Sequence, residues 1–319
     1  VNGFFDVTEA TRKRVSEFDY EMSFKIRTYL QELLEQDKID YLTILGDATC
    51  VPPSYYVQSP DRMGTYDMWV PTDLYFVSPR ADGKDIPMEI AVGRLSVRDK
   101  EEAKAVINKQ RRYREALEED SSWVNRAAVM AGAPFGNNFM GELTTSQAIN
   151  LDYFAGMQIE KYYRTENLFS KDAFIDVLEE GGRGFVWAFG HGSGEGLALE
   201  PGYANAADLL NIPSKAKLPI IFSEACGNGA WDTRLADAPF KNNTKYSYPT
   251  SFSEAVVLSE GAGIAYVGGA RINYAGWYLE YNNGIAHLKS VHYMDAILEL
   301  FMRAHSEGKG SLGNWSQRA

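Results

Sequence analysis

Gly184-Phe185-Val186-Trp187-Ala188-Phe189-Gly190-His191-Gly192-Ser193-Gly194-Glu195-Gly196 is the stretch on which the fold is decided. An apolar run too short for a helix opens directly into four glycines in seven residues. That is the pattern of a buried parallel strand delivering a loop at its carboxyl end. The pattern recurs at Pro219-Ile220-Ile221-Phe222-Ser223, which leads into Glu224-Ala225-Cys226-Gly227-Asn228-Gly229. The separation of 35 residues (226 − 191) is long enough for a crossover between two parallel strands. His191 and Cys226 are therefore expected at one end of one sheet, where open α/β folds do their chemistry.

Outward from these runs, Ala127 to Ala131, Gln158 to Tyr162 and Ile264 to Val267 read as further strands, with helical segments between most of them. Strands alternating with helices predict right-handed crossovers and a parallel sheet covered on both faces. In the first third, Met22, Ile26, Leu30 and Leu33 mark an amphipathic helix within Thr8 to Glu35. Tyr41 to Leu45 reads as a strand ending in Gly46-Asp47, and Thr49 to Gly64 as its loop. Asp73 to Val77 and Met88 to Val92 are strand candidates, and Asp99 to Leu117 is a charged helix. A polar junction at Glu118 to Ser122 predicts an N-terminal α/β subdomain over 1–120 and a catalytic one over 121–319.

Composition removes several function classes. The chain has 319 residues, 45% of them hydrophobic, enough for a large core. The net charge is −11 with no basic run, which argues against nucleic acid as a partner. No apolar stretch approaches the roughly 18 residues of a membrane span. Two cysteines, Cys50 and Cys226, make neither a disulfide framework nor a structural zinc site, and Cys50 is expected to be a free thiol. The chain opens at Val1 with neither an initiator Met nor a leader, which suggests a processed or a truncated start, and localisation is not legible there.

The chemistry resides in the two glycine loops. A thiol becomes a useful nucleophile as its thiolate, and an adjacent imidazole can take the proton or hold the ion pair. Backbone N–H groups of Gly192 and Cys226, turned to a common point, would stabilise the oxyanion formed on attack at a peptide carbonyl. Each residue has a plainer reading by itself, Cys226 as a small buried hydrophobe and His191 as a surface side chain. Their joint placement after two buried strands favours catalysis. Dinucleotide or nucleotide binding is disfavoured, because Gly190 to Gly196 fits neither G-x-G-x-x-G nor a P-loop.

The Gly-His-Gly-Ser block at 190–193 and the Ala-Cys-Gly-Asn-Gly block at 225–229 resemble the catalytic motifs of the gingipain family of cysteine peptidases, and more distantly those of caspases. Tyr41 to Asp47, Asp73-Leu74-Tyr75, and Ala91-Val92-Gly93-Arg94-Leu95-Ser96 with the helix around Asn108 to Arg114 are similar to the family's first-subdomain segments. The resemblance implies a caspase/gingipain-like α/β fold, with mostly parallel sheets flanked by helices in two Rossmann-like subdomains. Against the family's pattern the chain is expected to be shortened at both ends, with neither the family's N-terminal strand nor its following immunoglobulin-like domain evident in the sequence. It implies a secreted cysteine endopeptidase, extracellular or at the cell surface, acting on protein or peptide substrates. Cys226 would be the nucleophile through a thioester acyl-enzyme, and His191 the general base or ion-pair partner. Two alternatives stay open: a surface transpeptidase using the same nucleophile, and an inactive binding or assembly module on the same fold.

The remaining expectations also come from the resemblance. Ser193, Trp277 and Glu142 are candidate substrate-binding residues, with Trp277 as an S1 wall, and Glu195 and Asp232 are further acids near the site. Arg94 is expected to tie the two subdomains together. The family's histidine-orienting carboxylate aligns near Pro134, which cannot serve. No cofactor is expected, and structural calcium is implied by the resemblance alone. His287, His292 and His305 read as non-catalytic residues of helical or loop surface.

Overall fold

The computed structural model describes residues 20–36, 38–57, 69–78, 89–133, 140–150, 154–234, 249–273, 275–282, 285–292, 297–298 and 301–303. Helix α1 (Tyr20–Glu35) leads into β1 (Tyr41–Leu45), followed by β2 (Ser54–Val57), β3 (Trp69–Thr72), β4 (Ala91–Leu95) and helix α2 (Lys100–Glu119). β1 and β4 pair in parallel, from Tyr41 opposite Ala91 to Leu45 opposite Leu95. β2 and β3 form an antiparallel pair. Leu30, Ile44, Tyr75, Phe76, Val77 and Ile90 make this part's own core. Helix α2 starts where the sequence expects, because the Asp99 carboxylate accepts from the amides of Glu101 and Glu102.

Two expectations change here. The residues read as a strand over Asp73 to Val77 form a short helix, Leu74–Val77. The Thr72 hydroxyl accepts from the Leu74 amide at 3.0 Å and turns the chain, while the Asp73 carboxylate is committed to Arg94. The strand lies just before this turn, at Trp69–Thr72, paired with Ser54–Val57 inside the stretch read as a loop.

The second part continues through β5 (Arg126–Ala131), α3 (Met140–Asn150), β6 (Gln158–Tyr163), α4 (Lys171–Glu180) and β7 (Phe185–Phe189). Three short strands follow, β8 (Gly192–Ser193), β9 (Gly196–Ala198) and β10 (Tyr203–Asn205), then α5 (Ala206–Leu210), β11 (Ile220–Glu224), α6 (Phe252–Leu258) and β12 (Ala265–Gly268). The last strands are β13 (Ala275–Asn282) and β14 (Ile285–His292). β12, β11, β7, β5 and β6 form one sheet in that order, every pairing parallel.

Side-chain alternation explains why this sheet is covered on both sides. Ala127, Val129, Phe185, Trp187, Phe189 and Phe222 point to one face, where Phe154, Leu298, Phe301 and Met302 pack. Ala128, Met130, Val186, Ala188 and Ile221 point to the other, under Phe174, Val177, Leu178, Phe252 and Val256 of α4 and α6. At the sheet's centre one face therefore carries phenylalanine and tryptophan and the other smaller aliphatics, flanked by Tyr162 of β6 and Tyr266 of β12. His287 and His292 lie on β14 of an antiparallel hairpin, not on helix or loop. His305 is outside the described residues. Among the described residues no helix is long and apolar enough to cross a membrane.

Candidate active site

β7 and β11 are neighbours, and their register ends with Phe189 opposite Glu224. His191 and Cys226 each lie two residues beyond that pair, at the carboxyl edge of adjacent strands. Parallel neighbours are spaced about 4.8 Å apart, so the two loops emerge side by side. The loops also touch. A Cβ at Gly192 would lie 2.9 Å from Ala225 Cβ, 3.0 Å from Cys226 O and 3.1 Å from Asn228 Nδ2. Gly192 is thus glycine because the histidine loop rests directly on the cysteine loop.

The histidine loop folds into the small antiparallel sheet β8–β9–β10. The Ala198 amide donates to His191 O at 2.8 Å, and the Ser193 hydroxyl lies 2.6 Å from the Tyr203 hydroxyl. His191 itself is exposed.

The cysteine loop is fixed by the segment that follows β12. The Gly227 amide donates to Arg271 O at 2.8 Å and the Gly229 amide to Gly269 O at 2.9 Å. Asn273 Nδ2 donates to Ala225 O at 3.1 Å, and the half-buried Cys226 Sγ donates to Asn273 O at 3.8 Å. Asn228 donates to Ser223 Oγ at 2.9 Å and accepts from the Tyr266 hydroxyl at 2.5 Å. Among the described residues the Cys226 amide donates to no acceptor, the condition an oxyanion donor must meet.

The first part of the chain supports this loop from outside. Arg94 forms a paired contact to Asp73 at 2.7 and 2.8 Å and donates to Gly46 O and Val51 O at 2.9 Å. Its guanidinium lies over the Trp231 ring, 4.3 Å from the centroid, so it binds residues of both halves of the chain together. The Tyr55 hydroxyl donates to Asp232, and Arg234 donates to Asp47 at 3.3 Å.

With this geometry in view, the model of peptidase family C25 matches residues 10–318. The chain belongs to peptidase family C25. A relative from Archaeoglobus fulgidus, described as an uncharacterized protein, is 25% identical over 305 residues, covering 91% of this chain and 70% of the relative. The crystal structure of the Arg-specific cysteine proteinase gingipain R superposes with a TM-score of 0.61 at 18% identity, covering 98% of this chain and 63% of that one. A complex of Porphyromonas gingivalis pro- and mature domains of the same proteinase gives 0.61 at 18% identity, covering 92% and 62%. A structure described as a protease gives 0.60 at 20% identity, covering 84% and 53%. The C25 chain therefore spans between 53% and 63% of the length of these solved structures. Their likeness establishes the gingipain-type fold, and family and fold together support a cysteine peptidase.

The other candidate residues of this C25 chain fall as follows. Both carboxylate oxygens of Glu142 are committed to Thr165, at 2.7 Å to its amide and 2.6 Å to its hydroxyl, which fastens the start of α3 to the turn after β6. Asp232 is fully buried against Arg271. Glu195 is exposed in the β8–β9 turn. Trp277 lies on β13 in register with Ser290. Pro134 lies outside the described residues. Cys50 and Cys226 are both free thiols. Among the described residues no three His, Cys, Asp or Glu side chains gather as a metal site requires.

Arg271, Asn273 and Tyr266 shape the cysteine loop together with Asn228 of the 225–229 block, and none of the four had been assigned a role from the sequence. A signal existed for Arg271 and Asn273, since both follow the strand adjacent to the cysteine strand. Tyr266 had none, because an aromatic in a buried strand reads as packing.

Proposed function

We propose that this C25 chain is a cysteine endopeptidase in which Cys226 is the nucleophile and His191 its proton partner. The observation that carries the reading is the β7–β11 register, which sends the two loops from adjacent strand ends into mutual contact. In the proposed reaction His191 takes the Cys226 proton, and the thiolate attacks the peptide carbonyl carbon. The resulting oxyanion accepts from the Cys226 amide, with the Gly192 amide as second donor. Collapse breaks the C–N bond, His191 delivers its proton to the leaving amine, and a thioester remains on Cys226. Water, deprotonated by His191, attacks the thioester, releasing the carboxylic acid and restoring the thiol. Ser193 and Trp277 flank the substrate path in this reading, and proteins or peptides outside the cell are its substrates.

A diverse peptide library incubated with the purified chain tests the proposal. Cleavage is expected, with turnover falling by at least about 10⁴-fold in Cys226→Ala and in His191→Ala. Cleavage that survives in Cys226→Ala would overturn it. Transfer of the acyl group to an added amine in place of water would identify a transpeptidase.

A further inference from the structure

Lys109 lies on the buried face of α2 with Val106 and Ala116, and only 1% of it is exposed. Its Nζ donates to Val256 O at 3.1 Å, Ser259 O at 2.8 Å, Gly263 O at 2.9 Å and, more closely, Val257 O. Val256 and Val257 belong to the last turn of α6, and Ser259 is its C-cap. Carbonyls at that end lack helical partners, and a cation there meets the negative end of the helix dipole. An ammonium group has three protons to share among the four oxygens, whereas a neutral amine would turn its lone pair toward one of them. Burial works against the charge and pushes the group down to about 7, with Arg112 acting in the same direction and Glu260 opposing. The four carbonyls are what favours the ammonium form.

The other end of α6 bears on the active site. The Phe252 amide donates to Gly194 O at 3.0 Å, and the Ser253 amide to Asn228 O at 3.1 Å. Gly194 stands three residues after His191, and Asn228 two after Cys226. One short helix, about 10 Å long, thus bridges both glycine loops at its first turn. Lys109 grips its last. A capping box between Ser251 and Glu254 fixes the first turn internally, so a displacement of the far end is carried through the helix as a body.

We propose that Lys109 is a positioning residue of the active site: by tethering the end of α6 it keeps the His191 loop and the Cys226 loop aligned. What the aligned loops do rests on the peptidase reading above; the tether itself does not. The arrangement makes the N-terminal part of the chain necessary to an active site to which it contributes neither the histidine nor the cysteine. Arg112, one turn along α2, reaches Glu260 at 3.2 Å, but that pair is at the surface and touches neither loop.

The test measures two quantities on the full chain, in a Cys50→Ser background. One is amide hydrogen exchange at Phe252 and Ser253, and the other is the second-order rate of Cys226 alkylation by iodoacetamide. Lys109→Met is expected to speed exchange at both amides by about tenfold or more and to slow alkylation by about tenfold. Lys109→Gln, which keeps two N–H donors, should fall between it and wild type. Val106→Ala loosens the same helix without touching the carbonyls and should leave both rates within about twofold of wild type. Wild-type exchange at Phe252 and Ser253 in Lys109→Met, or in Lys109→Gln should the first not fold, would overturn the proposal. So would an equal response in Val106→Ala. If wild-type Cys226 reacts no faster than a thiol in the denatured chain, the peptidase reading fails, and the exchange rates alone decide the tether.

Discussion

The Asp232 carboxylate receives both terminal nitrogens of Arg271, at 2.9 and 2.6 Å, with the two side chains 0% and 1% exposed. The Tyr55 hydroxyl adds a third donor at 2.9 Å. Asp232 belongs to the segment running on from Cys226, and Arg271 to the segment running on from β12. The pair clamps the ends of two neighbouring strands, and the same Arg271 carries the carbonyl that holds the Gly227 amide. Burying two charges costs several kcal/mol per ion, which mutual attraction and added hydrogen bonds can do little more than offset. Its value here is registration of the cysteine loop.

Removing one partner should therefore cost far more than the pair is worth. Arg271→Met takes the cation away from a buried carboxylate, and a loss of about 3–5 kcal/mol is expected in denaturant unfolding. Tyr55→Phe removes one hydrogen bond to a carboxylate and should cost about 1.5 kcal/mol. Cys226 alkylation should slow in Arg271→Met and change little in Tyr55→Phe. Equal losses in the two variants would shift the burden from the ion pair to the tyrosine.

Gly192→Ala probes the contact between the loops. Its Cβ would meet backbone and side-chain atoms of the cysteine loop at 2.9 to 3.1 Å, so one loop must move. Peptide cleavage should fall by about 10²-fold or more, because a donor and an imidazole are displaced together. The melting temperature should shift little, since both loops lie at the sheet edge. Gly93→Ala is the control, since nothing lies within 4 Å of its Cβ position. Normal turnover in Gly192→Ala would mean that the loops do not need this approach.

Asp47 gives the acid limb of stability a named contributor. Burial raises its pKa, but the Thr49 hydroxyl and amide, the Cys50 amide and Arg234 outweigh that and hold it below its ordinary 3.8. A carboxylate depressed in the folded state contributes stability that is complete above its unfolded value and disappears as pH falls through the folded one. Asp47→Asn should accordingly be less stable than wild type at pH 7, and the gap should narrow as pH falls below the group's ordinary 3.8. Unfolding free energies at several pH values check this. A gap that stays constant down to pH 2 would remove charge from the explanation.

How far the sequence could be read depended on which force positions each residue. Burial leaves a compositional trace, so β5, β7, β11 and β12 stand out as apolar runs leading into glycine, whereas the edge strand β6 reads Gln-Ile-Glu-Lys-Tyr-Tyr and is half polar. The β1–β4 pairing was less legible because β4 runs through Gly93 and Arg94, which look like strand breakers. Arg94 is tolerated there because Asp73 and three carbonyls receive its guanidinium. β3 was missed because Pro71 argues against a strand, yet among the described residues this strand pairs on one side alone, with β2. The hairpin β13–β14 was missed although Asn283-Gly284 between two β-rich runs is a strong hairpin signal. Lys109 sits on an apolar helical stripe beside Val106 and Ala116, a misplaced charge that its sequence position shows but whose four acceptors are 147 or more residues away.

Trp187 tests the asymmetry of the central sheet. It is fully buried at the middle of β7, stacked on Phe154 at 5.7 Å with planes 15° apart, and among the described residues its indole N–H has no acceptor. Trp187→Ala should cost about 3–5 kcal/mol through the cavity it opens under the aromatic face. Trp187→Phe keeps an aromatic against Phe154 and deletes the unpaired N–H, whose desolvation costs about 1–3 kcal/mol. The smaller ring gives back part of that gain as lost packing, so a net change below about 1.5 kcal/mol is expected. Thermal and denaturant unfolding of the two variants measure both terms. A Trp187→Phe loss approaching that of Trp187→Ala would show that the indole N–H does have a partner, such as an ordered water, and that the aromatic face is held by more than packing.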